Sequence, residues 1–157
     1  MDSATPRDLP AEEAMRLDRQ VCFAVHATSR AFDAVYRPLL RDLGLTYPQY
    51  LAMLVLWEHG SLTVKELGLA LRLDSGTLSP LLKRLESAGL VRRERSARDE
   101  RQVTVSLTGP GRELRRRAAA VPFRIMAATG LDEQELVALR RSLERVTAAL
   151  DAASGRG

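Results

Sequence analysis

The chain has one cysteine in 157 residues, Cys22, which excludes an internal disulfide framework and makes a reduced, cytoplasmic setting the expectation. Its two histidines, His26 and His59, are too few and lack companion ligands for a metal site. Nothing calls for a cofactor. No apolar run approaches the ~20 residues of a membrane-spanning helix. The longest is residues 50–57, so no membrane partner is expected. Residues 1–10 are polar, carry Asp2 and Asp8, and lack the apolar stretch of a secretory signal. There is no internal repeat, and only a Gly/Ser-tinged tail at 154–157. A composition 45% hydrophobic and 28% charged is that of an ordinary globular protein. The length suits one domain with a sizeable core.

Charge is unevenly placed. The formal net charge is +4, but residues 83–117 hold eleven Lys/Arg against five Asp/Glu, leaving −2 for the rest. A concentrated basic patch on a mildly acidic chain points to a polyanion.

Apolar Leu17, Val21, Val25, Phe32, Val35 and Leu39 recur at helical spacing, so residues 12–43 read as one long helix stopped by Gly44. Thirty helical residues span roughly 45 Å, more than a domain of this size covers alone, and a partner chain is the natural cover. Capping boxes mark three further starts: Thr46 with Gln49, running to His59; Thr63 with Glu66, to Leu71; and Asp132 with Glu135, to Ala152. Thr108 before Gly109-Pro110 suits another. Asp74-Ser75-Gly76 reads as a turn ahead of a helix over 77–88, with Leu78, Leu81, Leu82 and Leu85 on one face and Gly89 ending it. Pro80 leaves its start open between Gly76 and a cap at Ser79. Residues 90–93 and 103–107 alternate apolar and polar and flank a charged loop at 96–101, the pattern of an antiparallel hairpin.

The expected fold is mainly α with a small β-hairpin wing, a winged helix-turn-helix. Its basic excess falls on the second helix and the hairpin, so double-stranded DNA is the expected partner. Ser75, Thr77 and Ser79 stand at the start of the recognition helix, where side chains meet base edges or phosphates. Lys83 and Arg84 read as phosphate clamps. Arg98 and Arg101 lie at the wing tip, with Asp99 pairing to Arg101 to direct it into the minor groove. The run Arg115-Arg116-Arg117 reads as a charged helix face.

Asp99-Glu100-Arg101 followed by Leu107-Thr108 resembles the wing signature of MarR-type transcriptional regulators, and the likeness runs over the whole chain. It implies a single domain over 1–157. Helices in 12–45 and 109–152 would form a homodimer, and 46–108 the DNA-binding region. A narrower likeness rests on Cys22, Tyr36-Arg37-Pro38-Leu39-Leu40, Leu43-Gly44-Leu45-Thr46-Tyr47-Pro48-Gln49-Tyr50-Leu51 and Leu73-Asp74-Ser75-Gly76-Thr77-Leu78. These resemble the organic-hydroperoxide-sensing OhrR repressors. The resemblance implies a repressor, not an enzyme, with Cys22, Tyr36 and Tyr47 as its redox site. Met126 and Ala127 occupy the region where two-cysteine members carry a second cysteine. The one-cysteine type follows, in which a low-molecular-weight thiol caps oxidised Cys22.

The chemistry is consistent with that assignment. A thiolate is the nucleophile toward peroxide, and tyrosine hydroxyls can donate hydrogen bonds to it. Cys22 and Tyr36 are fourteen residues apart, about 21 Å along one helix, so a shared site needs Tyr36 from an antiparallel second protomer. Phe23, Val25, Leu45 and Met53 are candidate apolar walls favouring organic peroxides. His26 reads as solvated, and Tyr50 as core with Met53, Leu54 and Trp57. Two alternatives remain: a MarR-type repressor released by a small apolar or phenolic ligand, and a thiol peroxidase. The second is disfavoured by the basic helix and hairpin and by the lack of a second cysteine.

Overall fold

The computed structural model describes residues 10–155, and the chain divides into two compact units between Arg112 and Glu113. In the first unit, α1 (Ala11–Ala14) and a 3-10 turn (Leu17–Arg19) precede α2 (Val21–Arg41). The single helix expected over 12–43 is therefore broken. Arg16 and Gln20 take extended backbone, and the Gln20 amide donates to the carbonyls of Ala14 (2.7 Å) and Arg16 (3.0 Å). Arg16–Asp18 and Arg19–Glu13 ion pairs hold the same turn. These side-chain partners satisfy groups that a continuing helix would have paired. What remains, α2, is 21 residues long and buries only Leu40.

The core gathers around α3 (Tyr47–His59), which buries Tyr50, Ala52, Met53, Leu56 and Trp57. Its capping box is formed as expected, with Thr46 Oγ1 accepting from the Gln49 N–H and the Gln49 side chain accepting from the Thr46 N–H. α4 (Val64–Leu71) starts on the Thr63–Glu66 box in the same way. Trp57 Nε1 donates to the Gly111 carbonyl at 2.9 Å, anchoring the start of α6 (Gly109–Ala118) to α3. A Cβ at Gly111 would lie 2.0 Å from the Leu90 carbonyl oxygen, so only glycine permits this approach.

α5 (Ser75–Ser87) begins earlier than the two starts left open at Pro80. Asp74 is its cap, its carboxylate accepting the Thr77 N–H at 2.8 Å, and Pro80 lies inside the helix. Ser75 and Gly76 are its first turn, not a preceding loop. Leu78, Leu81, Leu82 and Leu85 are buried as the pattern demands. The hairpin consists of β2 (Val91–Arg95) and β3 (Val103–Leu107), and a third strand, β1 (Ser61–Thr63), adds to it. The antiparallel order is β1-β3-β2, with Leu62 opposite Val105 and Arg93 opposite Val105 on the other side. Three residues are too few for alternation to reveal β1, and Thr63 doubles as the cap of α4.

In the second unit, α6 runs on to Ala118, and α7 (Val121–Thr129) and α8 (Glu133–Ala153) follow. Leu114, Ala118, Val121 and Ile125 are buried. Asp132 and Glu135 complete the capping box of α8. That helix buries none of its residues, and Leu139, Leu143, Val146 and Leu150 form an exposed stripe at helical spacing.

Candidate DNA interface and thiol site

α4 and α5 are joined through Arg72, Leu73 and Asp74. Arg72 takes the left-handed conformation (φ 56°), and the Leu73 N–H returns to the Gly68 carbonyl at 2.9 Å. A Cβ at Gly68 would press on the Leu73 carbonyl at 3.0 Å, so a small residue there lets the turn close. The second helix then starts on Asp74. The N–H of Thr77 holds that carboxyl below the usual carboxylate range. Opposite the buried leucines, Ser75, Thr77, Ser79, Lys83 and Arg84 are all exposed on α5. At 3.6 residues per turn these five positions spread over roughly half of the helix's circumference, all of it open to solvent.

The wing loop is organised by its own side chains. Ser96 Oγ accepts from the N–H groups of Arg98 (3.2 Å) and Asp99 (3.4 Å), and Ser96 N–H donates to the Gln102 carbonyl (2.8 Å). Asp99 Oδ1 accepts the backbone N–H of Arg101 at 3.0 Å. The carboxylate therefore shapes the turn at Arg101's backbone instead of pairing with its guanidinium, as the sequence had suggested. Arg98 and Arg101 are exposed at the tip.

Not every basic residue is available to an anion. Arg92 pairs with Glu94 (2.9 Å) and Arg93 with Glu86 (3.2 Å). Among the described residues no ion pair engages Lys83, Arg84, Arg95, Arg98 or Arg101. Arg95, at the end of β2 and exposed, belongs with this group although it was not among the residues expected to contact DNA. Strand alternation places it on the face of Val91 and Arg93, so the pattern did not single it out as a free cation; its exposure comes from its place at the strand's outer end.

Cys22 is a free, exposed thiol at the second position of α2. Tyr36 and Tyr47 meet with ring centroids 4.7 Å apart, and Tyr50 packs 5.8 Å from Tyr36 and edge-on to Trp57. A cleft of about 470 Å3 opens beside them, lined by Asp33, Arg37, Arg41 and Leu45 as well as Tyr36 and Tyr47. Burial pushes the Tyr36 hydroxyl up to about 12, with Tyr47 and Tyr50 adding to the effect. Tyr47 is raised by burial and then by Asp33. These phenols stay protonated, as hydrogen-bond donors, at neutral pH. Cys22 lies about 21 Å along α2 from Tyr36, so one chain brings the tyrosines together and leaves the thiol apart. Of the suggested apolar walls, Leu45 lines the cleft and Met53 is fully buried in the core. Phe23 and Val25 are exposed near Cys22, as is His26.

The fold and its unpaired cations define a winged helix-turn-helix DNA-binding protein. Residues 34–117 match the family model described as transcriptional regulator SarA/Rot. The chain is 48% identical over 129 residues to the organic hydroperoxide resistance transcriptional regulator of Bacillus subtilis (strain 168), covering 82% of this chain and 88% of that protein. It is 49% identical over 153 residues to the HTH-type transcriptional regulator TtmR of Methylorubrum extorquens (strain PA1), covering 98% and 76%. Among solved structures, reduced AbfR bound to DNA superposes with a TM-score of 0.74 at 39% identity, covering 88% of this chain and 97% of that one. AbfR, from Staphylococcus epidermidis, is also known overoxidised on DNA. The chain belongs to the MarR family of winged-helix transcriptional regulators, in its OhrR group, and is a regulator and not an enzyme.

Proposed function

We propose that the protein is a homodimeric repressor that senses organic hydroperoxides through Cys22 and then releases its operator. Helices within 12–45 and 109–152 pair two copies, and 46–108 carries the DNA. The observation that carries the reading is the placement of Cys22. The break at Gln20 sets it in the first turn of α2, where among the described residues no side chain caps the N–H groups. The thiol there is free and exposed, the access that a cysteine attacking a peroxide requires. Cys22, Asp33, Tyr36 and Leu40 share one face of α2, at spacings that keep helical phase. An antiparallel second copy then presents its Tyr36 and Tyr47 to the first copy's thiol. The name of the Bacillus relative supports the same substrate class.

The Cys22 thiolate attacks the distal oxygen of the hydroperoxide and the O–O bond breaks. Sulfur is oxidised to a sulfenic acid, and the departing alkoxide takes the proton that the thiol had lost. The neutral tyrosine hydroxyls stabilise the thiolate before attack. With no second cysteine in the chain, a low-molecular-weight thiol condenses with the sulfenic acid, forming a mixed disulfide and water. The adduct enlarges the thiol's surroundings, and the two recognition helices lose the spacing of half-sites about one DNA turn apart. Ser75, Thr77 and Ser79 read bases or phosphates; Lys83, Arg84, Arg98 and Arg101 hold the backbone and minor groove, with Asp99 shaping the tip.

Intact-mass spectrometry after cumene hydroperoxide, with and without a small thiol, tests the chemistry. One added oxygen, converted to one thiol adduct on Cys22, is expected; an unmodified Cys22 after operator release contradicts it. That second outcome would favour a ligand-released repressor, for which the tyrosine cleft is the observation in favour.

A further inference from the structure

The connection from α5 to the wing is short and turns at Gly89 (φ 73°), and one side chain bridges it. Glu86, in the last turn of α5, accepts the backbone N–H of Arg93 through Oε2 at 2.9 Å and the Arg93 guanidinium through Oε1 at 3.2 Å. Both bonds go to one residue of β2, so they fix the strand's position and the guanidinium's direction together. The Glu86 side chain is 39% exposed and that of Arg93 28%, and Arg93 Nε is buried without a hydrogen-bond partner. A buried, unpaired N–H is a cost that an apolar side chain would not carry. Arg93 is also directly opposite Val105 of β3, which is fully buried, so holding Arg93 holds both strands of the wing. Two residues further out begins the run of unpaired cations, Arg95, Arg98 and Arg101. Arg93 sits among them yet is turned inward and neutralised.

We propose that Glu86 is a positioning residue for DNA binding: through Arg93 it locks the wing to the recognition helix, so that α5 and the wing-tip arginines engage one duplex in a fixed register. The arrangement works whatever ligand or oxidant controls the protein, and rests only on its being a winged-helix DNA-binding regulator. Without the lock, α5 still enters the major groove, but the wing swings on the Gly89 turn and its arginines lose their place on the flanking backbone.

The test uses the full chain and a duplex that the wild-type protein selects from a random-sequence library. A wild type that selects no duplex would count against DNA binding itself and not against the lock. Affinity is read by fluorescence anisotropy across a KCl series, and backbone contacts by hydroxyl-radical footprinting, for wild type, Glu86→Gln, Glu86→Ala and Arg93→Met. Glu86→Gln keeps an acceptor for the Arg93 N–H and is expected to retain the wild-type footprint. Glu86→Ala, which removes both bonds, is expected to weaken binding about tenfold and to lower the salt slope by about 1 for each wing phosphate lost. Arg93→Met, which like Glu86→Gln keeps the bond to the backbone N–H, is expected to resemble Glu86→Gln. In Glu86→Ala protection should vanish at the outer wing positions and persist under α5, a split that general unfolding does not produce. A wild-type footprint and salt slope in Glu86→Ala would overturn the proposal. So would an even loss of protection across the whole site in all three variants.

Discussion

Tyr36 shows how far a single residue's behaviour depends on its neighbours. In isolation it is a phenol on a largely exposed helix; burial, with Tyr47 and Tyr50 adding to it, pushes its hydroxyl up to about 12. A phenol whose pKa is raised on folding binds its proton more tightly in the folded chain. Its contribution to stability is therefore full below about pH 10 and is lost as the pH rises through 12. Urea unfolding between pH 9 and 12 should show stability falling across that window, with a smaller fall in Tyr36→Phe. An equal fall in the variant would contradict the assignment. Tyr36 and Tyr47 were legible as residue types in a motif. Their contact was not, because one lies on α2 and the other opens α3. Asp99 shows the opposite failure: its place in the wing loop was legible, but its partner is a backbone N–H that no side-chain pattern announces.

Elements whose starts are encoded within four residues were readable from the sequence. Thr46, Thr63 and Asp132 each cap a helix as expected, because a capping box is a local contract between a hydroxyl or carboxylate and a residue three positions on. The break before α2 was not readable, since Gln20 reaches back six residues to the Ala14 carbonyl. The start of α5 was obscured by Pro80, whose strong local signal competed with the plain cap at Asp74. That cap carries a prediction. Asp74→Ala should fray the first turn of α5, which bears Ser75 and Thr77, and weaken operator binding, whereas Asp74→Asn should largely preserve it. The Thr77 N–H depresses the folded-state pKa of Asp74, so the cap's support is present above its ordinary value near 3.8 and fades as the pH falls below that. Far-UV circular dichroism and anisotropy on the two variants check the ordering. Equal DNA affinity in Asp74→Ala and wild type would contradict it.

At the scale of the molecule, the uncovered apolar faces are the informative feature. A 21-residue helix with one buried side chain, and another with none, gain little from packing within the chain. The sequence pointed to a partner through helix length alone; the structure shortens that helix but leaves its faces bare. The proposed second copy would cover the bare faces and bring its Tyr36 to Cys22. Sedimentation equilibrium should give twice the chain mass of 17.4 kDa. Leu143→Glu, which sets a charge in the exposed stripe of α8, should yield monomers that bind operator at least tenfold more weakly, because two half-sites are no longer read together. A monomeric wild type with full affinity would remove the basis for a shared thiol site. The basic patch was legible at this scale too, although pairing of Arg92 and Arg93 with glutamates leaves fewer free cations than the count implied.

The proposed switch is Cys22. Fluorescence anisotropy on the selected operator duplex, titrated separately with cumene hydroperoxide and hydrogen peroxide in the presence of a small thiol, tests it for wild type and Cys22→Ser. Both proteins should bind the duplex equally before oxidant. Wild type should then release at near-stoichiometric organic hydroperoxide and only at much higher hydrogen peroxide, while Cys22→Ser stays bound. Release of both proteins alike, or of neither, would contradict the account.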